Sequence, residues 1–281
     1  MHRFFIAPEL LANIDVPSEN VVAPLVGARV AATISLPKDL AHQIRDVLHL
    51  AIDEQLLLLD NTGDEILATV AESNKSLVRV QLLDHHKGKS ESPIRIILCQ
   101  GLLKSARFEW ILEKGTELGV SVFSPILFRR SMAGLEEAGP TKIQRWQRII
   151  QEATEQCGRS RLPQLLPIRP LLHALNEIPP GVLALIPWEE EHNYSLHSAL
   201  TAFRQTLQTQ SAQSSVLHSP ESPATPTTVF LFIGPEGGLT PEEIALAQRH
   251  KVQPVSLGSR ILRAETAALA AIANVMYELE R

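Results

Sequence analysis

Five apolar residues in succession, Val229-Phe230-Leu231-Phe232-Ile233, run straight into Gly234-Pro235-Glu236-Gly237-Gly238, and a helix start follows at once. An unbroken apolar run of this length reads as a strand buried on both faces, the condition of a parallel sheet covered by helices. Thr240 is placed as N-cap, Pro241 at the first helical position and Glu243 three residues after the cap. That is a capping box, worth about 1 kcal/mol for the cap alone. Glycines at 234, 237 and 238 let the backbone approach a ligand or take positive φ. A loop at the carboxyl end of a parallel strand is where α/β domains place ligands, although a plain tight turn accounts for one Gly-rich loop equally well. Neither GxxxxGKS/T nor GxGxxG is present, which disfavours a nucleoside triphosphate or a dinucleotide.

The same strand–helix alternation extends upstream and downstream. Apolar runs at 94–99, 122–128, 182–187 and 254–257 alternate with helical periodicity, so residues 94–281 are expected to form an α/β domain with a parallel sheet. One helix carries Phe108, Ile111, Leu112 and Leu118 and stops at Gly119. A longer one carries Ile143, Trp146, Ile149, Ile150 and Ala153, with Thr141 as N-cap and Gly158 as its end. Trp110 and Trp146 lie on these helix faces and are read as core.

Residues 1–83 differ in character. Short runs at 26–36, 55–59, 65–70 and 77–83, separated by turn signals, predict a small β-barrel interrupted by a helix over 41–50. The polar segment 84–93 reads as an interdomain linker, and the Ser/Thr/Gln/Pro-rich stretch 208–228 as a disordered surface insertion.

Net charge and cysteine usage narrow the class. With 26 basic and 31 acidic residues the net charge is −5, so any nucleic-acid contact is a local patch. The segment 129–169, with eight Lys or Arg against four Glu, is such a patch or else a solvated helix face. Cys99 and Cys157 are too few and too far apart to staple the chain or to hold a metal, and a cytoplasmic setting is expected. No apolar run reaches the roughly 18 residues of a membrane span. The cluster Glu189-Glu190-Glu191-His192 has no second ligand group at matching spacing and reads as a solvated acidic loop, so no metal is expected.

The segments IGPEGGLTPEE (233–243) and LGSRILRAETAALAAI (257–272) resemble the signature of the SPOUT methyltransferases, specifically the RsmE type. These are uracil-N3 methyltransferases of small-subunit (16S) ribosomal RNA. The resemblance spans nearly the whole chain, taking in MHRFF at the start, FEWILEKGTELGV from Phe108, RRS from Arg129 and RWQRIIQEATEQCGR from Arg145. It implies an N-terminal PUA-like barrel that helps hold RNA, and a C-terminal domain whose last strands and loops form a trefoil knot. It also implies a homodimer and an S-adenosylmethionine pocket near the dimer interface. Carried over by motif, the pocket uses Ile233, Gly234, Pro235, Glu236, Gly237 and Gly238 of the first loop. It also uses Leu257, Gly258, Ile261, Leu262 and Arg263 of the second, with Thr266 and Ala267 just beyond. Cys157 stands where the family shows Ser, and His49 where it usually shows Arg; the second change weakens one RNA contact in the barrel.

Uridine N3 carries a proton that must leave before or during methyl transfer. Arg263 is the candidate to stabilise charge on the uracil oxygens, and Glu236 or Glu265 to accept the proton. Taken alone, Arg263 and Glu265 would read as a surface ion pair at a helix start. Arg3, Lys104, Arg107, Lys114, Arg130 and Arg159 are the candidate RNA-phosphate contacts, which carry affinity and salt dependence but no base choice. The expected partner is 16S rRNA within the small ribosomal subunit. Two other readings stand beside this one: a SPOUT enzyme acting on another RNA or base, and a non-catalytic RNA-binding assembly factor. The intact GPEGG and LGSRILRAET loops argue against the second of these.

Overall fold

In the C-terminal part of the chain, one strand shows how its sheet is covered. Along Val229–Ile233, Val229, Leu231 and Ile233 belong to one apolar core and Phe230 and Phe232 to another, so the strand is buried on both faces. The computed structural model describes residues 1–11, 32–131, 139–214 and 227–280. They fall into two compact units, Met1–Glu91 with Thr154–Leu162, and Ser92–Ala153 with Pro163–Arg281.

The first unit contains strands β1 (His2–Phe5), β2 (Thr33–Ser35), β3 (Gln55–Leu59), β4 (Asp64–Ser73) and β5 (Val78–Lys87). They form one mixed sheet in the order β1-β3-β4-β5-β2, with β1 parallel to β3 and the other pairs antiparallel. Leu56, Leu58, Ile66, Ala68, Val70, Val80 and Leu82 supply much of its core at the strand period of 2, while Leu57 and Leu59 are buried on the other face of β3. A short helix, α1 (Lys38–His42), passes into a single π turn over Gln43–Val47. His49 follows it at φ 53, and its Nδ1 lies 3.1 Å from the Arg45 carbonyl oxygen.

One expectation for this unit is described only in part, and another changes. Of the run 26–36, Thr33–Ser35 is strand, while 26–31 lie outside the described residues. The segment 84–93 is not all linker. Asp84 to Lys87 continue β5, with His86 opposite Glu65 and Lys87 opposite Asp64. Ladder bonds to a neighbour override polar local composition there, a tertiary effect that composition does not register.

The second unit is an α/β layer structure. Its strands are β6 (Ile94–Gly101), β7 (Val120–Leu127), β8 (Gln164–Leu165), β9 (Arg169–Pro170), β10 (Leu183–Pro187), β11 (Thr227–Ile233) and β12 (Gln253–Val255). They pair in parallel in the order β12-β10-β11-β6-β7-β8, with β9 also on β7. The helices are α2 (Ser105–Glu117), α3 (Pro140–Cys157), α4 (Leu171–Asn176), α5 (Leu196–Ser214), α6 (Pro241–Arg249) and α7 (Ala264–Leu279). Residues of α2, α3, α5 and α7 join one core, and residues of α4 and α6 join the other. Strands β6, β7, β10 and β11 thus lose both faces to helices, as their apolar runs require.

Gly119 at φ +94 and Gly158 at φ +81 end α2 and α3 in the left-handed region that glycine takes at least cost. Thr141 lies inside the first turn of α3, which begins at Pro140, and is not its N-cap. Trp146 is core, its ring centroid 4.5 Å from that of Phe108, whereas Trp110 is 43% exposed, contrary to expectation. The stretch 208–228 also differs from its reading. α5 runs through Ser214 and β11 starts at Thr227, while 215–226 lie outside the described residues. No helix among the described residues is long and apolar enough to cross a membrane.

Cys99 is fully buried on β6, and burial pushes its thiol up to about 12, against the nearby Arg169 and a hydrogen bond with Ser124. A thiol reagent at pH 8 is therefore expected to label the partly exposed Cys157 and to spare Cys99 until denaturant unfolds the protein. Mass spectrometry of the labelled peptides checks this, and equal labelling of both in native buffer would contradict the burial.

Candidate active site

The parallel order places the carboxyl ends of β12, β10 and β11 side by side, and the loops leaving them enclose one cavity of about 800 Å3. The volume lies in the range of small-molecule sites, and the location is where open parallel sheets hold ligands. Pro187 at the end of β10 and Trp188, Glu189 and His192 beyond it line the cavity, as do Ile233 at the end of β11 and Gly234 to Leu239 beyond it. Ser256 to Glu265 and Ala267 come from the loop after β12 and the start of α7, and Arg107 joins from α2.

Each loop has a local reason for its course. Gly238 at φ +76 and Gly258 at φ +113 take backbone conformations that side chains resist. The capping box at α6 is formed as the sequence indicates. The Glu243 amide donates to Thr240 Oγ1 at 3.3 Å, and the Thr240 amide donates to Glu243 Oε2 at 2.9 Å. Glu243 also accepts from the Arg129 amide on Oε1 at 2.7 Å, which ties the Arg129-Arg130-Ser131 turn to the same helix start. Arg130 then donates from Nη1 to the carbonyl oxygens of Gly237 at 3.2 Å and Leu239 at 3.4 Å. A Cβ on Gly237 would stand 2.9 Å from the Arg130 carbonyl oxygen, so only glycine lets this turn pack so closely.

Three charged groups of the cavity lining are joined to one another. Arg107 Nη1 donates to Glu236 Oε1 at 2.6 Å, and Arg107 Nε lies 3.7 Å from Glu265 Oε1. Glu265 is 8% exposed in the first turn of α7, where the helix dipole favours an anion. Its Oε2 is buried with no hydrogen-bond partner among the described residues, an atom that burial makes costly unless a donor arrives. Arg263, the N-cap residue of α7, is exposed on the lining and has no carboxylate partner among the described residues.

Residues 90–276 match the family model for the RNA methyltransferase domain. The chain belongs to this family of RNA methyltransferases. Among its relatives named ribosomal RNA small subunit methyltransferase E, that of Bacillus subtilis (strain 168) is 28% identical, over 89% of this chain and 92% of its own length. That of Synechocystis sp. (strain PCC 6803) is 32% identical, over 89% of this chain and 75% of its own. Among solved structures, a ribosomal RNA small subunit methyltransferase E from Neisseria gonorrhoeae, bound to S-adenosyl methionine, is 27% identical with a TM-score of 0.74. That match covers 99% of this chain and 97% of the other. Within the family the chain is therefore of the RsmE type, and it shares the mixed α/β architecture of that structure.

In this methyltransferase, Ile233 to Gly238, Leu257, Gly258, Leu262, Arg263 and Ala267 all line the cavity. Ile261 lines it too but is 87% exposed, and Thr266, exposed on α7, is not part of the lining. The six candidate phosphate contacts separate. Lys104, the residue preceding α2, is exposed and without a carboxylate partner among the described residues. Arg3 is paired with the buried Glu65, and Arg159 with Glu91 at 3.0 Å, its side chain only 8% exposed. Lys114 is held by Glu113 at 2.7 Å and Glu117 at 2.8 Å, which raise its pKa above the ordinary lysine value. Arg130 is spent on loop carbonyls and Arg107 on pocket carboxylates. Sequence reasoning missed Trp188, Glu189 and His192 as lining residues; the acidic loop carried no signal that β10 would lie beside β11.

Proposed function

We propose that this protein transfers the methyl group of S-adenosylmethionine to N3 of a specific uridine in 16S ribosomal RNA. The observation that carries the reading is the cavity at the ends of β10, β11 and β12, with Glu236 held by Arg107 at one side, in a chain of this family. The residues present suit the cofactor. The volume admits it, the glycines of the two loops free main-chain groups for hydrogen bonds to adenine and ribose, and Leu257 and Leu262 offer apolar walls.

When bound, S-adenosylmethionine supplies a methyl group on a sulfonium leaving group. The chain's own residues handle the proton and the charge. Glu236 is the better proton acceptor of the two carboxylates. Its side chain is 21% exposed against 11% for Glu265, and Arg107 engages its Oε1 while Oε2 remains for the N3 proton. With that proton on Glu236, the N3 lone pair would be free to accept the methyl group that the bound sulfonium would supply. Arg263, without a carboxylate partner among the described residues, is placed at the rim to stabilise charge on the uracil oxygens during the transfer.

The remaining parts of the reading follow the family resemblance. The five-stranded sheet of the first unit belongs to a PUA-like RNA-holding domain, and the loops after β11 and β12 form the trefoil knot. The active form is a homodimer in the cytoplasm, acting on the small ribosomal subunit. Lys104 contributes to phosphate binding.

Arg130 is assigned here to the cofactor loop. Arg130→Ala is expected to weaken cofactor binding about tenfold, roughly 1.4 kcal/mol for two lost charge-assisted hydrogen bonds. RNA affinity and its salt slope should stay unchanged. Titration calorimetry and filter binding at two salt concentrations check both. A salt slope reduced by about one, with cofactor affinity intact, would return Arg130 to the phosphate contacts.

The reaction itself is tested by supplying labelled S-adenosylmethionine with small subunits lacking N3-methyluridine, and with naked 16S rRNA in parallel. Label entering the subunits is the expected result, and the naked-RNA lane shows whether assembly is required. No transfer to either, despite cofactor binding, would overturn the substrate assignment.

A further inference from the structure

Glu236 and Glu265 bring two carboxylates to the same side of the cavity, and like charges so placed repel unless a cation stands between them. Arg107 is that cation. Its Nη1 lies 2.6 Å from Glu236 Oε1 and its Nε 3.7 Å from Glu265 Oε1, so one guanidinium meets both. The three residues come from three separate places in the chain: the first turn of α2, the loop after β11 and the first turn of α7. A guanidinium is planar and always charged, and its donors point in fixed directions. It therefore sets where each carboxylate lies as well as balancing charge.

We propose that Arg107 is a positioning residue of the methyl-transfer site and not a phosphate contact. By holding Oε1 of Glu236 it turns Oε2 toward the place where the uracil N3 proton must be taken. By engaging Glu265 it keeps the second carboxylate out of that place. The inference rests on Glu236 being the proton acceptor. A misplacement of about 1 Å at such a site costs on the order of 100-fold in rate, and a long arginine removed from between two acids permits that much.

The test uses the full-length protein with S-adenosylmethionine and small ribosomal subunits. Arg107→Met, Arg107→Lys, Glu236→Gln and the Arg107→Met/Glu236→Gln double variant are compared with wild type. Single-turnover transfer is measured at saturating cofactor and RNA, together with the RNA dissociation constant at two salt concentrations. Arg107→Met is expected to lower the single-turnover rate about 100-fold with RNA affinity and salt slope unchanged. Arg107→Lys, which keeps the charge but loses the fork, should recover part of the loss. The double variant should be no slower than Glu236→Gln alone, because a residue acting through another adds nothing once that other is gone.

Losses that multiply in the double variant would overturn the proposal. So would an unchanged single-turnover rate with RNA binding weakened and the salt slope reduced by about one, the behaviour of a phosphate contact. Wild type yielding a methylated product other than N3-methyluridine would sink the proposed reaction instead, and the Arg107 variants would then be scored on that product. Should Arg107→Met fail to fold, Arg107→Lys paired with Glu236→Gln gives the same comparison.

Discussion

Glu236→Gln is expected to lower methyl transfer about 100- to 10,000-fold, the range that a positioned general base contributes. The amide is close to isosteric and can still accept from Arg107, so cofactor affinity and thermal stability should stay near wild type. The loss falls on the chemical step because N3 of uridine has no free lone pair until its proton has a destination. Glu265→Gln makes the internal comparison. Its Oε2 is buried and its side chain is the less exposed of the pair, so the smaller rate effect is expected there. Rapid-quench measurement at saturating cofactor and RNA separates the two variants, and near-normal transfer by Glu236→Gln would remove it from the chemistry.

Gly101→Ala is expected to damage the cofactor pocket without touching any group that reacts. Gly101 ends β6, beside the strand that delivers the Gly234-Pro235 loop. A Cβ at this position would stand 2.6 Å from the Pro235 nitrogen, 2.8 Å from the Gly234 carbonyl carbon and 3.1 Å from the Ile233 oxygen. All three are backbone atoms, so no side chain can swing away and the loop itself has to shift. Overpacking of this kind costs about 1–3 kcal/mol, which is about 5- to 150-fold in cofactor affinity if the strain is released at the pocket. Gly139→Ala is the control, since a Cβ there meets nothing within 4 Å among the described residues. Calorimetric titration showing wild-type affinity for Gly101→Ala would mean that the loop after β11 does not hold the cofactor.

What could be read from the sequence was what is written locally. The apolar run 229–233, the capping box at Thr240 and Glu243, and the glycine stops at 119 and 158 each depend on a few neighbouring residues, and each is present in the fold. The two pocket loops were legible for a different reason, because their motifs resemble those of a known family. What was not legible depends on distant segments meeting. Arg3 looks free in sequence until Glu65 reaches it, and Arg159 until Glu91 does. Arg107 is one of two basic residues in α2 until the sheet order brings β11 next to β6 and sets Glu236 against it. The acidic loop at 189–192 reads as solvated because only the position of β10 between β11 and β12 makes it a pocket rim. Gly101 shows no motif at all; its constraint is the closeness of another strand's exit.

The most direct test of the account is the chemical position of the methyl group in the product. RNA methylated by the wild-type protein is digested to nucleosides and resolved against N3-methyluridine, C5-methyluridine and 2′-O-methyluridine by liquid chromatography and mass spectrometry. N3-methyluridine at one site of 16S rRNA, strongly diminished for Glu236→Gln, is the predicted result. Methyl on carbon 5 or on the ribose oxygen would contradict it, because neither requires a carboxylate to take the N3 proton.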